Sequence, residues 1–474
     1  MRALYSGHRS RHICSESVGK GTKMNTEHTK RRLILLELNE LCPQLLDSFI
    51  ARGHLPNFER LRKMSREFIT HTTEELLEPW IQWVTVHTGV PLSEHGIIDL
   101  DEADKLRHSA FWETLDPVLL LSPMNVKFAQ GGESVFLPDP WAASQAPSST
   151  LQPLYKFIRA AVNGHARADK FEARDVLSAM RFLVSHGLSL DSCAAIAKQL
   201  TNERVSPNDV KWRRATILDR LLWDVFEHFW TGPVAPRVGV FFSNATAHYQ
   251  HKYWSHHDPA GFAVKPGESE LEAYGDAILF GYQAQDRLIG KALALAGKDT
   301  AIAMCTALSQ QPMHDYEDRG GKAMFIAKDY RKLLPLLGAA AASDEPLMAE
   351  ESRLHFDTHA LAERAFASVN AARTAAGAKV FKTRGLDGRS FIVGCALFAS
   401  EVRDDTLVVL DKGAPVPFLD FFVKMKTTTT AKHHPDGLLW VTNPAEQVRH
   451  SGVEHLPLTM VRTKLEQAMS STLS

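Results

Sequence analysis

Seven short apolar runs, separated by stretches with helical spacing, restrict this 474-residue chain more than any other feature. RLILLELNE (32–40) is apolar almost throughout and polar at its end, the pattern of a strand buried on both faces of a parallel sheet. VLLLS (118–122), RVGVFFSN (237–244), TAIAMCTA (300–307), SFIVGCAL (390–397), DTLVVLD (405–411) and GLLWVT (437–442) repeat it. Helical patterns lie between them at 43–53, 55–65, 154–162, 173–187, 213–230 and 270–297. Strands alternating with helices predict an α/β fold with a doubly wound, mostly parallel sheet. The span 150–236 is helical without a strand and reads as a helical insertion or cap. The α/β core is then split into a first part at 32–149 and a second at 237–474. Residues 1–31 read as a disordered leader. They are polar and basic, without the apolar stretch of a secretory signal. A transit peptide, or an upstream start ahead of Met24, would give the same pattern.

The charge balance narrows the partners. With 54 Lys+Arg against 55 Asp+Glu the net charge is -1, which provides no electrostatic footprint for nucleic acid and no attraction to an anionic membrane. No apolar run approaches the ~18 residues of a membrane-spanning helix. Cys14, Cys42, Cys193, Cys305 and Cys395 are odd in number, scattered and without a CxxC pair, so they predict reduced thiols in a cytoplasmic protein. Phosphate-binding glycine loops, HExxH and GxSxG are all absent from the sequence.

Ligands of open α/β sheets collect at the carboxyl ends of the strands. Here those ends carry Glu37, Asn39 and Glu40 after the first run and Asn244 with HYQHKYWSHHD (248–258) after the third. Ser309, Gln310 and Gln311 follow the fourth, and His433 and His434 precede the last. His248 and His251 are three apart and would share one face of a helix. With His433 or His434 they supply the three imidazoles of a catalytic zinc, or they are ordinary surface histidines in a chain that has 22.

Five segments, in order, resemble the alkaline phosphatase superfamily, in its type I phosphodiesterase and nucleotide pyrophosphatase branch. They are LILLELNELCPQLLDSFIARGHLPNFERL (33–61), EPWIQWVTVHTGVPLSEHGI (78–97), VFFSNATAHYQHKYW (240–254), AIAMCTALSQQP (301–312) and HHPDGLLWV (433–441). The resemblance implies an alkaline-phosphatase-like sheet and hydrolysis or transfer of a phosphate, phosphonate or sulfate ester. In the family, two zinc ions flank a hydroxyl nucleophile.

This sequence departs from that pattern where it matters most. The first metal aspartate falls on Asn39, the aspartate of D-x-x-x-H on Ala247, and the Asp-His of SDHG near Ser309 and Gln310. The nucleophile falls on Val84, with Thr85 one residue away. The resemblance therefore implies one divalent ion, zinc by preference, rather than two. Its candidate ligands are His248, His251, His433 and His434, with Glu40 standing in for the lost carboxylate one residue later. Thr85 is the candidate nucleophile, with Gln82 and Glu78 as lesser polar groups of that segment. Asn39, Gln82, Ser309, Gln310 and Gln311 are expected to hydrogen-bond the substrate, because amides suit an ester oxyanion better than a hard cation. The expected partner is a small-molecule ester, and a homo-oligomer is compatible with the sequence. The rival reading is a pseudoenzyme that kept the fold and pocket but lost the charges.

Overall fold

The computed structural model describes residues 31–470 except 130, 143, 167–171, 298, 320, 339, 348–350, 410–413, 426–427 and 443–451. The predicted leader thus lies outside the described residues, apart from Arg31. Arg31 donates its backbone N–H to the Met469 carbonyl at 3.1 Å.

The central element is an eight-stranded sheet. Its strands are β1 (Arg32–Leu38), β2 (Ser65–His71), β3 (Val118–Leu121), β4 (Val135–Leu137), β5 (Val238–Ser243) and β6 (Thr300–Cys305), with β13 (Asp436–Thr442) and β14 (Glu454–Pro457) from the end of the chain. The spatial order is β14-β2-β13-β6-β1-β5-β3-β4. β1 is parallel to both β5 and β6, and β3 is parallel to β5 and β4. β13 runs antiparallel to its neighbours β2 and β6. This is the mostly parallel α/β sheet the sequence predicts.

The apolar run of β1 follows from burial on both faces. Ile34 and Leu36 enter one hydrophobic cluster, and Leu33 and Leu35 enter the other, all at most 1% exposed. Helices α1 (Pro43–Ala51), α2 (Pro56–Lys63) and α3 (Pro79–Thr88) follow, and each opens with proline at its first turn, where the missing N–H costs nothing. The span 150–236 contains α4 (Gln152–Ala166), α5 (Ala173–Ser185), α6 (Leu190–Val205) and α7 (Ala215–Thr231). α8 (Ala245–His257) leaves the end of β5, and α9 (Glu268–Tyr274) and α10 (Ala277–Ala296) divide the predicted helix at 270–297.

Two expectations are corrected. The runs at 390–397 and 405–411 are not strands of the parallel core. A separate antiparallel sheet contains β8 (Ser343–Pro346), β9 (Glu351–His355), β10 (Phe381–Asp387) and β11 (Ser390–Cys395), and Leu407–Val409 pairs in another small sheet. These strands cover a hydrophobic cluster of their own that includes Phe381, Phe391 and Val408. An apolar run reports burial, not which sheet provides it. Ser65–His71 is a strand the sequence reading missed. The helical pattern at 55–65 overlaps it only at Ser65, and SREFITH has too few apolar residues to form a run like those of the central strands. β7 (Ser309–Pro312) and β12 (Ala431–His434) form a two-stranded antiparallel ladder beyond β6. No described helix is long and apolar enough to cross a membrane.

Candidate metal centre

Three chain segments converge at the carboxyl ends of β1, β5 and β6. Glu40 sits in the turn after β1, His251 on α8 after β5, and His433 on β12, opposite Gln310 of β7. His251 Nε2 lies 2.9 Å and His433 Nε2 3.2 Å from Glu40 Oε2, and the two rings meet edge to face with centroids 5.3 Å apart. Candidate ligand atoms from these three residues all lie within 4.8 Å of one another.

Glu40 is held with unusual care. Its φ of 58° places a non-glycine residue in the left-handed region, a conformation that persists only where surroundings enforce it. Its backbone carbonyl accepts from Gln250 Nε2 at 2.7 Å, and Gln250 is fixed in turn by Tyr282 Oη and the Cys42 N–H. The carboxylate accepts from Asn39 Nδ2 at 2.8 Å through Oε1, and from Gln310 Nε2 through Oε2. Burial alone would raise this carboxyl. The charges of His433 and His251 and hydrogen bonds from both rings outweigh burial and hold it well below the usual range.

The histidine tautomers are set by the backbone. His433 Nδ1 meets the Leu77 carbonyl, and His251 Nδ1 lies 3.3 Å from the Ala431 carbonyl. A carbonyl only accepts, so both Nδ1 atoms carry the proton and both Nε2 atoms turn toward Glu40. This is the outer contact that orients a metal-binding histidine. With both rings neutral, two Nε2 lone pairs would face a carboxylate. A proton on His433 relieves that conflict: burial lowers its pKa, but the Glu40 charge and hydrogen bond, the Glu78 charge and the Leu77 carbonyl lift it to about 9. Gln310 adds one more sign of a missing partner. Its amide N–H groups serve Glu40 and the Ala247 carbonyl at 3.2 Å, and its Oε1 is buried with no hydrogen-bond partner among the described residues. Two imidazoles and one carboxylate suit zinc and other first-row dications. The residues fit one such ion.

The other predicted residues are distributed as follows. Asn39 is fully buried and committed, donating to Glu40 and to Asn244 Oδ1 at 2.8 Å and accepting from Trp83 Nε1 at 2.8 Å. Gln311 Nε2 donates to the His433 carbonyl at 3.1 Å. Gln82 donates to the Leu76 carbonyl at 2.9 Å, steadying the segment whose next carbonyl holds His433. Ser309 is buried opposite His434 in the β7–β12 ladder. His434 points away from His433, as alternation along a strand requires, and its Nδ1 accepts from the Asp436 N–H at 3.1 Å. His248 packs edge-on to Tyr249 and is not one of the three clustered residues.

Thr85 has His95 as its side-chain partner. It is buried on α3 with Oγ1 3.3 Å from His95 Nε2. The Ile97 N–H donates to His95 Nδ1 at 3.1 Å, and burial, with the nearby His108 charge, pushes the ring down to about 4. His95 is therefore neutral with its proton on Nε2, donates to Thr85 and cannot take the hydroxyl proton. The group that α3 does bring to the centre is Glu78, just before its first residue, with Oε2 3.8 Å from His433 Nδ1. Burial raises the Glu78 carboxyl against the lowering pull of His433. The sequence favours Thr85 over Glu78 because counting back from Thr88–Gly89 falls on Val84, with the Thr85 hydroxyl one residue away. The position of Glu78 before Pro79 at a helix start was the usable signal. Sequence reasoning also missed a buried pair on the sheet's other side, His87 Nε2 to Glu37 Oε1 at 2.7 Å.

No protein-family model matches the sequence, and no curated protein matches it. Among solved structures the chain is similar to phosphonoacetate hydrolase from Sinorhizobium meliloti 1021 in complex with phosphonoformate, at 13% identity and a TM-score of 0.43 over 93% of this chain and 96% of that one. It is similar to an inactive murine ectonucleotide pyrophosphatase/phosphodiesterase 5 in complex with AMP, at 9% identity and a TM-score of 0.40 over 94% and 96%. It is also similar to alkaline phosphatase from the Antarctic bacterium TAB5, at 8% identity and a TM-score of 0.37 over 94% and 99%. Identities this low leave substrate and chemistry to be judged from the atoms of the site.

Proposed function

We propose that this chain is a hydrolase of phosphate, phosphonate or sulfate esters that works with a single divalent ion, zinc by preference, held by Glu40, His251 and His433. The observation that carries this reading is the convergence of two Nε2 atoms, each fixed by a backbone carbonyl at Nδ1, on one buried carboxylate. A dication bound there supplies Lewis-acid polarisation of an ester oxygen and charge to offset the negative charge that develops. Asn39 and Gln310 hold the carboxylate in place. Glu78, beside His433 and less buried than Glu40, is the group placed to accept or return a proton.

A second reading has an observation in its favour. Asn39, Ala247, Ser309 and Gln310 are uncharged where further carboxylate and imidazole ligands would stand, and the Asn39 amide is spent on Glu40, Asn244 and Trp83. A neutral second site favours one ion over two, and it also suits a pseudoenzyme that binds without turnover. The test is a panel of nitrophenyl phosphate, phosphonate and sulfate esters with and without added zinc. Zinc-dependent turnover that disappears in Glu40→Gln supports the hydrolase. Metal binding with no turnover of any ester would favour the pseudoenzyme.

A further inference from the structure

A cavity of about 300 Å³, sharing no lining residue with the Glu40 centre, lies between the end of α6, the following loop and α9. Asn202, Ser206, Asn208, Arg213, Glu272 and Ala273 line it. Its volume is at the small end of ligand pockets, and its polar lining is amide, hydroxyl and charged.

Arg213 is the unusual member. Its guanidinium lies 4.9 Å from the Trp212 ring centroid and 5.5 Å from that of Phe280, so the plane is held by two aromatic faces. Its Nε is buried and has no hydrogen-bond partner among the described residues. The next residue shows what an arginine here does when a carboxylate is within reach: Arg214 binds Glu203 through both Nε and Nη2. A guanidinium held between rings with a buried, unpartnered Nε is costly unless an acceptor arrives.

The walls are set by packing that needs no ligand. Trp212, beside Arg213, packs on Tyr249 and Tyr253, and its carbonyl accepts from Tyr249 Oη at 3.0 Å. Tyr274, beside Ala273, stacks on Tyr253 at 5.2 Å. On the loop side, the Ser206 N–H bonds the Asn202 carbonyl, and Ser206 Oγ accepts from the Asn208 N–H at 3.2 Å. The cavity is therefore preformed.

We propose that this cavity binds a small organic anion whose carboxylate or phosphate oxygens meet Arg213, with Asn202, Ser206, Asn208 and Glu272 bonding its remaining polar groups. The site is independent of the Glu40 centre and of the reaction proposed for it.

Intrinsic fluorescence is a direct readout, because Trp212 packs on the cation concerned. The chelator-treated protein, as wild type and as His433→Ala to silence the Glu40 centre, is titrated separately with inorganic phosphate and with acetate. A saturable change with phosphate alone assigns a phosphate ligand, and one with acetate alone or with both assigns a carboxylate-tolerant site. Arg213→Met keeps an apolar stem over the rings and should weaken the response roughly tenfold or more, as loss of a charge-assisted pair requires. Should Arg213→Met fail to fold, Asn208→Asp provides the second test. Its new carboxylate in the same cavity should abolish the anion response while leaving the fold intact by circular dichroism. No saturable response to either anion, or equal responses in wild type and Asn208→Asp, overturns the proposal.

Discussion

His433 turns its Nε2 to Glu40 at 3.2 Å because its Nδ1 is held by the Leu77 carbonyl. The pair makes the metal-free protein pH-sensitive. The folded His433 pKa of about 9 lies above the ordinary 6.5. The stability it contributes is therefore complete below pH 6.5 and is lost as pH rises through about 9. Chelator-treated wild type should lose thermal stability across that window, and His433→Gln should show a flatter profile. Parallel profiles for the two proteins would contradict the pairing.

Glu40 combines two properties that substitution can separate. Glycine accepts a φ of 58° without penalty, whereas alanine keeps the strain. Glu40→Gly should be more stable than Glu40→Ala by about 1 kcal/mol, and both should lose the dication. Urea unfolding of the two variants measures the difference. Equal stability would show that the turn is not strained.

Thr85 should prove structural. Its Oγ1 accepts a hydrogen bond from His95, which has no proton to take from it, so Thr85→Val should leave ester turnover within about twofold of wild type. Stability should fall by about 1 kcal/mol for the lost hydrogen bond to buried His95. A collapse of turnover in a folded Thr85→Val protein would return the hydroxyl to the reaction.

Gly437, the second residue of β13, lies where no side chain fits. A Cβ there would stand 2.5 Å from the Thr306 carbonyl oxygen and 2.7 Å from its Oγ1. The first of these is backbone and cannot swing away. Gly437→Ala should cost about 1–3 kcal/mol and disturb the adjoining β12 histidines. Unchanged thermal stability would refute this.

The parallel core was readable from the sequence because each central strand is buried on both faces and so becomes a continuous apolar run. Leu33 to Leu36 show this directly. The same signal misplaced 390–397, because Phe391 and Val393 are buried under a different sheet. At the site, strand ends and the His248–His251 spacing led to Glu40, His251 and His433. Spacing could not choose between His433 and His434, since that choice depends on which face of β12 meets Glu40. Nor could spacing separate Thr85 from Glu78. Both belong to one helical segment, and only the packing of α3 shows that its start, not its middle, meets His433.

Metal stoichiometry is the most direct test of the centre. Zinc-loaded, desalted protein analysed for metal content, with isothermal titration of the stripped chain, should give one ion per chain. His251→Ala and His433→Ala should each lose it while remaining folded, because removing either imidazole leaves too few donors for a tight site. His434→Ala and His248→Ala should retain it. No stoichiometric metal in the wild type, or full retention in both His251→Ala and His433→Ala, would contradict the assignment of Glu40, His251 and His433 as a metal centre.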